Sequence, residues 1–203
     1  LYNVMGAYDK ALPLYQRALM ISEKALGPNH PTTGVNLNNL ARLYSAMGVY
    51  DKALPIFQRA LAIAEKALGA THPGTSTSLS NLAGLHNAMG AYEKAVPLSQ
   101  RGLAIAEKAL GPEHPATGTS LNNLAGLYQS MGEYDKALLL YQRALALAEK
   151  GQGPEHPDTG ARLNNLASVH ESMGAYDKAL PLYQRSLAIA EKAQGPHHPA
   201  TGT

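Results

Sequence analysis

The chain contains no cysteine and no tryptophan, and phenylalanine occurs once in 203 residues. Without thiols there are no disulfide staples and no thiolate metal sites, a composition that fits a cytoplasmic protein. No apolar run approaches the ~20 residues needed to cross a bilayer, and no stretch reads as a signal peptide. Charge of one sign is missing too. The formal net charge of +2 gives no field able to recruit nucleic acid or an anionic membrane. Nor is there a Gly-rich phosphate loop, a two-histidine helix motif or a converging carboxylate pair. No catalytic residue, cofactor or metal is therefore expected.

What is present is apolar and repetitive. Hydrophobic residues make up 45% of the chain, enough for a packed core, and most are Ala and Leu, which favour closely packed helices. Met-Gly pairs begin at Met5, Met47, Met89, Met131 and Met173, each 42 residues after the last. A fixed period of this length marks a solenoid. The complete units run approximately over 34–75, 76–117, 118–159 and 160–201, preceded by a truncated unit at 1–33.

Each unit reads as two helices. In the unit 118–159 the first is expected at 119–131, with Leu121, Leu124, Ala125 and Tyr128 on one face and Asn122, Gly126 and Gln129 on the opposite one. Gly132 ends it. The second helix is expected at 135–150, apolar over most of its surface, with a narrow solvent stripe of Asp135, Leu139, Gln142, Ala146 and Lys150. Pro13, Pro55, Pro97 and Pro181 take the place of Leu139 elsewhere, near enough to the first turn that their cost is expected to be small. A helix apolar nearly all round needs neighbours on several sides. Stacked hairpins supply them, so the fold expected is an all-α solenoid of antiparallel helix pairs, a single array over 1–203.

Five phrases of the form LGPEHP place His30, His72, His114, His156 and His198 at equal intervals. Packed helices lie ~8–10 Å apart, and zinc needs its nitrogens ~2.0–2.1 Å away. Neighbouring copies therefore cannot share an ion, and only His197 and His198 stand side by side. The phrase reads as a turn. Gly111 offers a left-handed cap, Pro112 blocks continuation, Pro115 holds His114 extended, and Thr117 is expected to cap the next helix.

The pattern Leu124-Ala125, Tyr128, Gly132, Tyr134, Ala137, Tyr141, Ala144 has the spacing of the tetratricopeptide repeat signature. With LNNLA at 121–125 and second helices of the type ALPLYQRALAIAEKALG, the chain resembles the 42-residue kinesin light chain class of these repeats. The resemblance implies a right-handed superhelix whose first helices line a concave groove that holds peptide segments of protein partners. It also implies that the first Asn of LNNLA, here Asn38, Asn122 and Asn164, holds a peptide backbone; Ser80 departs from that pattern.

Repeats can be compared within the chain. Charged residues recur in every second helix and read as a solvated outer face. Residues that vary on the groove side are the binding candidates: Asn38, Arg42 and Ser45; Ser80, Gly84 and Asn87; Asn122, Gly126 and Gln129; Asn164, Ser168 and Glu171. The second Asn of the motif (Asn39, Asn81, Asn123, Asn165) never varies and is expected to bond between helices. His86 and His170 replace Tyr44 and Tyr128 on the core face.

Two functions from different classes follow: a non-enzymatic scaffold that binds a peptide in the groove, or a structural or regulatory spacer within a larger sensor protein. The array is expected to be part of a longer one. Its final second helix should expose Leu180, Tyr183, Leu187 or their neighbours and allow end-to-end self-association.

Overall fold

The computed structural model describes residues 8–194. The first residues of the truncated unit and the pair His197-His198 lie outside these residues. Among the described residues there are nine α-helices, in sequential pairs. The first helices of the repeats are α2 (Pro31–Ala46), α4 (Pro73–Ala88), α6 (Pro115–Ser130) and α8 (Pro157–Ser172). The second helices are α1 (Tyr8–Leu26), α3 (Tyr50–Leu68), α5 (Tyr92–Leu110), α7 (Tyr134–Gln152) and α9 (Tyr176–Gln194). The chain falls into two compact units, Leu1–Ile105 and Ala106–Thr203.

The connector sets the helix starts, and it does so differently from the sequence expectation. α6 begins at Pro115, four residues before the expected start, and His114 is its N-cap with φ −72° and ψ 142°. Pro suits the first helical position, where its missing N–H has no helical acceptor. The His114 Nδ1 accepts from the Ala116 amide at 3.1 Å. His30, His72 and His156 do the same for Thr32, Gly74 and Asp158, at 3.2, 3.0 and 3.1 Å. Thr117 is therefore not the cap. Fully buried inside the first turn, it sends its hydroxyl back to the Gly111 carbonyl at 2.8 Å. Thr33, Thr75 and Thr159 repeat that bond to Gly27, Gly69 and Gly153. Gly111 itself stands at φ +101°, in the region that costs other residues most.

Packing then follows the periodicity. The predicted solvent stripe on α7 is exposed at all five positions, with Leu139 at 67%. Ala137, Tyr141, Ala144 and Ala148 are buried. Leu40, Tyr44, Phe57 and Leu85 form one core cluster in the first unit. Tyr141, Leu166 and Val169 form one in the second. Each fully buried leucine, such as Leu121 or Leu163, contributes about 1.5–3 kcal/mol.

Two features of the second helices depart from expectation. α3 starts at Tyr50, so Pro55 is its sixth residue and lies beyond the first turn. It forgoes a real i→i−4 bond, a cost the sequence reading set too low. The repeated charges also do more than line a solvated face. Arg59 pairs with Glu23 at 2.7 Å and Arg101 with Glu65 at 2.7 Å. In the second unit Arg143 pairs with Glu107 at 2.7 Å and Arg185 with Glu149 at 2.6 Å. Each pair joins a second helix to the one before it, and each is part-exposed, so its contribution is about 0.2–1 kcal/mol.

Candidate peptide-binding surface

The candidate residues sit on the first helices, in two separate settings. In the first unit, α2 and α4 flank a cavity of ≈ 290 Å³ floored by Ala60, Ala64 and Leu68 of α3. Asn38 and Arg42 line it, together with Asn39, Ser78 and Asn81. The Asn38 Nδ2 donates to the Ser78 hydroxyl at 3.2 Å, while its Oδ1 is buried without a partner. Arg42 is exposed at the rim. Ser45, Ser80 and Asn87 are half-buried and lie away from this cavity. Ser80 is turned toward α5, where its hydroxyl would sit 3.6 Å from a methyl added at Gly102. Gly84 is exposed with open space above it.

In the second unit several candidates tie α6 to α8. The Gln129 Nε2 donates to the hydroxyls of Ser168 at 3.0 Å and Ser172 at 3.3 Å, and its Oε1 accepts from the Tyr141 hydroxyl at 3.1 Å. Asn165 Nδ2 donates to Asn122 Oδ1 at 2.8 Å. That is the inter-helix bond expected of the second Asn, and its acceptor is a residue the sequence assigned to the groove. The pattern does not extend to every copy: Asn39 and Asn81 line the cavity, and Asn123 is exposed. Gly126 is half-buried, 3.4 Å from the Tyr141 hydroxyl when a Cβ is added. Asn164 and Glu171 are exposed. Glu171 accepts from the Tyr183 hydroxyl at 2.7 Å, and burial, helped by this carboxylate, raises the Tyr183 pKa.

Sequence reasoning missed one residue. Arg162 is not among the candidates above, yet it is buried, at 8% exposure. Its guanidinium donates to the Gly118 carbonyl at 3.4 Å, the Thr119 hydroxyl at 3.3 Å and the Asp158 carboxylate at 3.3 Å. The signal was available: Asp158 and Arg162 are four residues apart on a helix, a spacing that pairs side chains. His86 and His170, by contrast, are buried as expected, at 7% and 9% exposure. Desolvation lowers both pKa values. Lys94 adds to the effect at His86 and Lys178 at His170, against the opposing carboxylates of Glu93 and Asp177. Among the described residues no three His, Cys, Asp or Glu side chains gather to hold a metal ion, and no helix is long and apolar enough to cross a membrane.

Helix pairs of constant length, with the first helix of each capped by histidine, define a helical-hairpin repeat protein. The chain belongs to the tetratricopeptide repeat family, whose profile matches residues 1–66, 36–108, 77–150, 140–192 and 158–203. Among solved structures it is similar to nearly identical TPR-like repeats of Podosopora anserina described as a kinesin light chain. That match has 31% identity and a TM-score of 0.74 over 95% of this chain and 92% of that one. It is also similar to BtubC (BKLC) of P. vanneervenii, with 27% identity and a TM-score of 0.77 over 98% and 78% of the two chains. A Rap protein complexed with Competence and Sporulation Factor shares the fold, with 18% identity and a TM-score of 0.79 over 94% and 51%. No curated protein matches the sequence.

Proposed function

We propose that this tetratricopeptide repeat protein is a non-enzymatic interaction scaffold that holds an extended segment of a protein partner against its first helices. One observation carries the reading. Caps and inter-repeat ion pairs recur from copy to copy, whereas the outward positions of the first helices differ: exposed Arg42, Gly84 and Glu171 stand among them. That face therefore offers a partner a different side chain at successive repeats. The structure shifts weight among the candidates. Asn122, Gln129 and Ser168 spend part of their capacity between helices, and Glu171 spends part of its own on the Tyr183 hydroxyl, so Arg42 and Asn164 are the better contacts. The unbroken 42-residue period supports reading both units as one array. Binding of peptides selected from a displayed library tests the reading. Replacing Arg42 and Asn164 by Ala should weaken the selected peptides at least about tenfold and leave thermal unfolding unchanged. Binding that survives both changes would sink it.

A spacer or self-assembly role is the second reading, and its test lies on α9. There Leu180 is 59% and Leu187 40% exposed, while Tyr183 is half-buried. The equivalent Leu138 and Leu145 of α7 are half-buried. Under that reading the sedimentation coefficient rises with concentration, and Leu180→Gln with Leu187→Gln abolishes the rise.

A further inference from the structure

We propose that the bound segment is bipolar, with a carboxylate set against Arg42 in the first unit and a lysine or arginine set against Glu171 in the second. The inference rests on the groove reading above and names the charge of the partner at two places.

Most charge in the chain recurs with every second helix: an acid and a lysine at its start, an arginine in its middle, a glutamate and a lysine toward its end. Seven charged residues break that pattern. Five of the seven are paired within the chain. Lys136 holds Glu133, Lys150 holds Glu113 and Lys192 holds Glu155, while Arg162 closes on Asp158. The two that remain are Arg42 and Glu171. One lies in each unit, they are opposite in sign, and both are exposed on first helices. Neither forms an ion pair among the described residues. Their counterparts carry no charge. Gly84, Gly126 and Ser168 stand at the Arg42 position, and Ser45, Asn87 and Gln129 at the Glu171 position. These are therefore the two places where the first-helix face presents uncompensated charge to a partner.

Each setting suits its sign. Arg42 borders the cavity of ≈ 290 Å³, and none of the side chains lining that cavity is acidic. A guanidinium offers a planar fork of donors that a carboxylate meets with both oxygens. The amides of Asn39 and Asn81 line the same space. A lysine or arginine arriving there would meet like charge. Glu171 is held by a phenol, the Tyr183 hydroxyl donating to its Oε2 at 2.7 Å. That bond orients the carboxylate without neutralising it and leaves Oε1 open to an N–H donor. A carboxylate already held loses less freedom when a cation docks. The wider field of each unit has the same sign as its exposed charge. The first unit carries nine basic and five acidic residues, net +4, and the second eight and ten, net −2. Each end of a bipolar segment is thereby steered toward its own unit.

The test uses the whole chain and peptides selected from a displayed library of random sequence. Arg42→Glu exchanges attraction for repulsion and should weaken a selected peptide at least about fivefold. Changing one Asp or Glu of the peptide to Lys should restore binding to that variant. Glu171→Lys should weaken the same peptide by a similar factor, and changing one Lys or Arg to Glu, at a different peptide position, should restore it. Both residues are exposed, so neither reversal disturbs the core. Lys24→Glu, in the last turn of α1, alters the net charge as much as Arg42→Glu and should leave binding unchanged. The proposal is overturned if either variant is not restored by its own charge change in the peptide. It is overturned too if one peptide position restores both, or if Lys24→Glu costs as much as Arg42→Glu. Peptides that lose binding on Asn164→Ala yet tolerate both reversals would keep the groove reading and discard this one. A library without a binder would overturn both.

Discussion

The Ser76 hydroxyl donates to the Gly102 carbonyl oxygen at 2.8 Å, and two repeats later Ser186 donates to Gly160 at 2.8 Å. It is one helix crossing with glycine and serine exchanged between the two helices. A first helix can approach its second helix closely only where the contact residues stay small. Gly34 shows the limit, since a Cβ there would stand 3.2 Å from the Ile63 Cγ2. Ile63 is buried and β-branched, so it has no rotamer to retreat into.

The same helix type carries a glycine with no such duty. Gly84 lies inside α4 with nothing within 4 Å of an added Cβ. Gly84→Ala should raise stability by about 0.5–1 kcal/mol, the usual gain in a helix interior, whereas Gly34→Ala should lower it. Urea unfolding of the two variants decides the matter, and equal effects would mean that the crossing is not limited by that glycine.

Pro55 makes a second case for untapped stability. It is exposed on α3 and lies beyond the first turn, where its ring costs a helical hydrogen bond. The equivalent residue of α7 is Leu139, in a helix of the same length. An interior proline is about 3 kcal/mol worse than alanine, less about 0.4–1 kcal/mol regained from the stiffer unfolded chain. Pro55→Ala should therefore stabilise by about 2 kcal/mol, read as a higher urea midpoint with unchanged slope.

The repeat period, the helix pairs and the solvent stripe of α7 were all legible in the sequence because they rest on short-range spacing. Helix starts were not. The phrase GPEHP contains two prolines and a glycine, which read as extended chain, and histidine is not among the usual capping residues. Only the geometry reveals that the imidazole takes that task and leaves the threonine free to bond backwards. The candidate site was legible as a set of non-repeating positions. What each does with its polar atoms was not, because Asn38 and Asn122 occupy equivalent positions yet find different partners. Those partners, Ser78 for Asn38 and Asn165 for Asn122, lie about one repeat away in the chain.

The histidine cap and the threonine back-bond can be separated by substitution. His114→Asn keeps an acceptor at the cap and should leave stability unchanged to within a few tenths of a kcal/mol, while His114→Ala should lose about 1 kcal/mol. Thr117→Val keeps the shape of a fully buried residue and removes its donation to Gly111, which should cost about 1 kcal/mol more. Hydrogen exchange gives a local reading: the Ala116 amide should lose protection in His114→Ala and keep it in Thr117→Val. Unchanged exchange at Ala116 in His114→Ala would show that the imidazole is not the cap.

Acid should weaken the fold through His86 and His170. Both are buried, and burial lowers both pKa values below the ordinary 6.5, with Lys94 and Lys178 acting in the same direction. The unfolded chain then takes up these two protons more readily than the folded one. Their contribution to stability is complete above about pH 6.5 and is lost as the pH falls below it toward the folded values. Tyrosine occupies the same position as Tyr44, which is buried in the core at 8% exposure, so His86→Tyr with His170→Tyr should preserve packing and remove the titration. Urea midpoints at pH 7.5 and 5.5 should differ more for the natural chain than for the double variant. The exposed capping histidines are common to both proteins and cancel in that comparison, so equal differences would place the acid sensitivity outside the core.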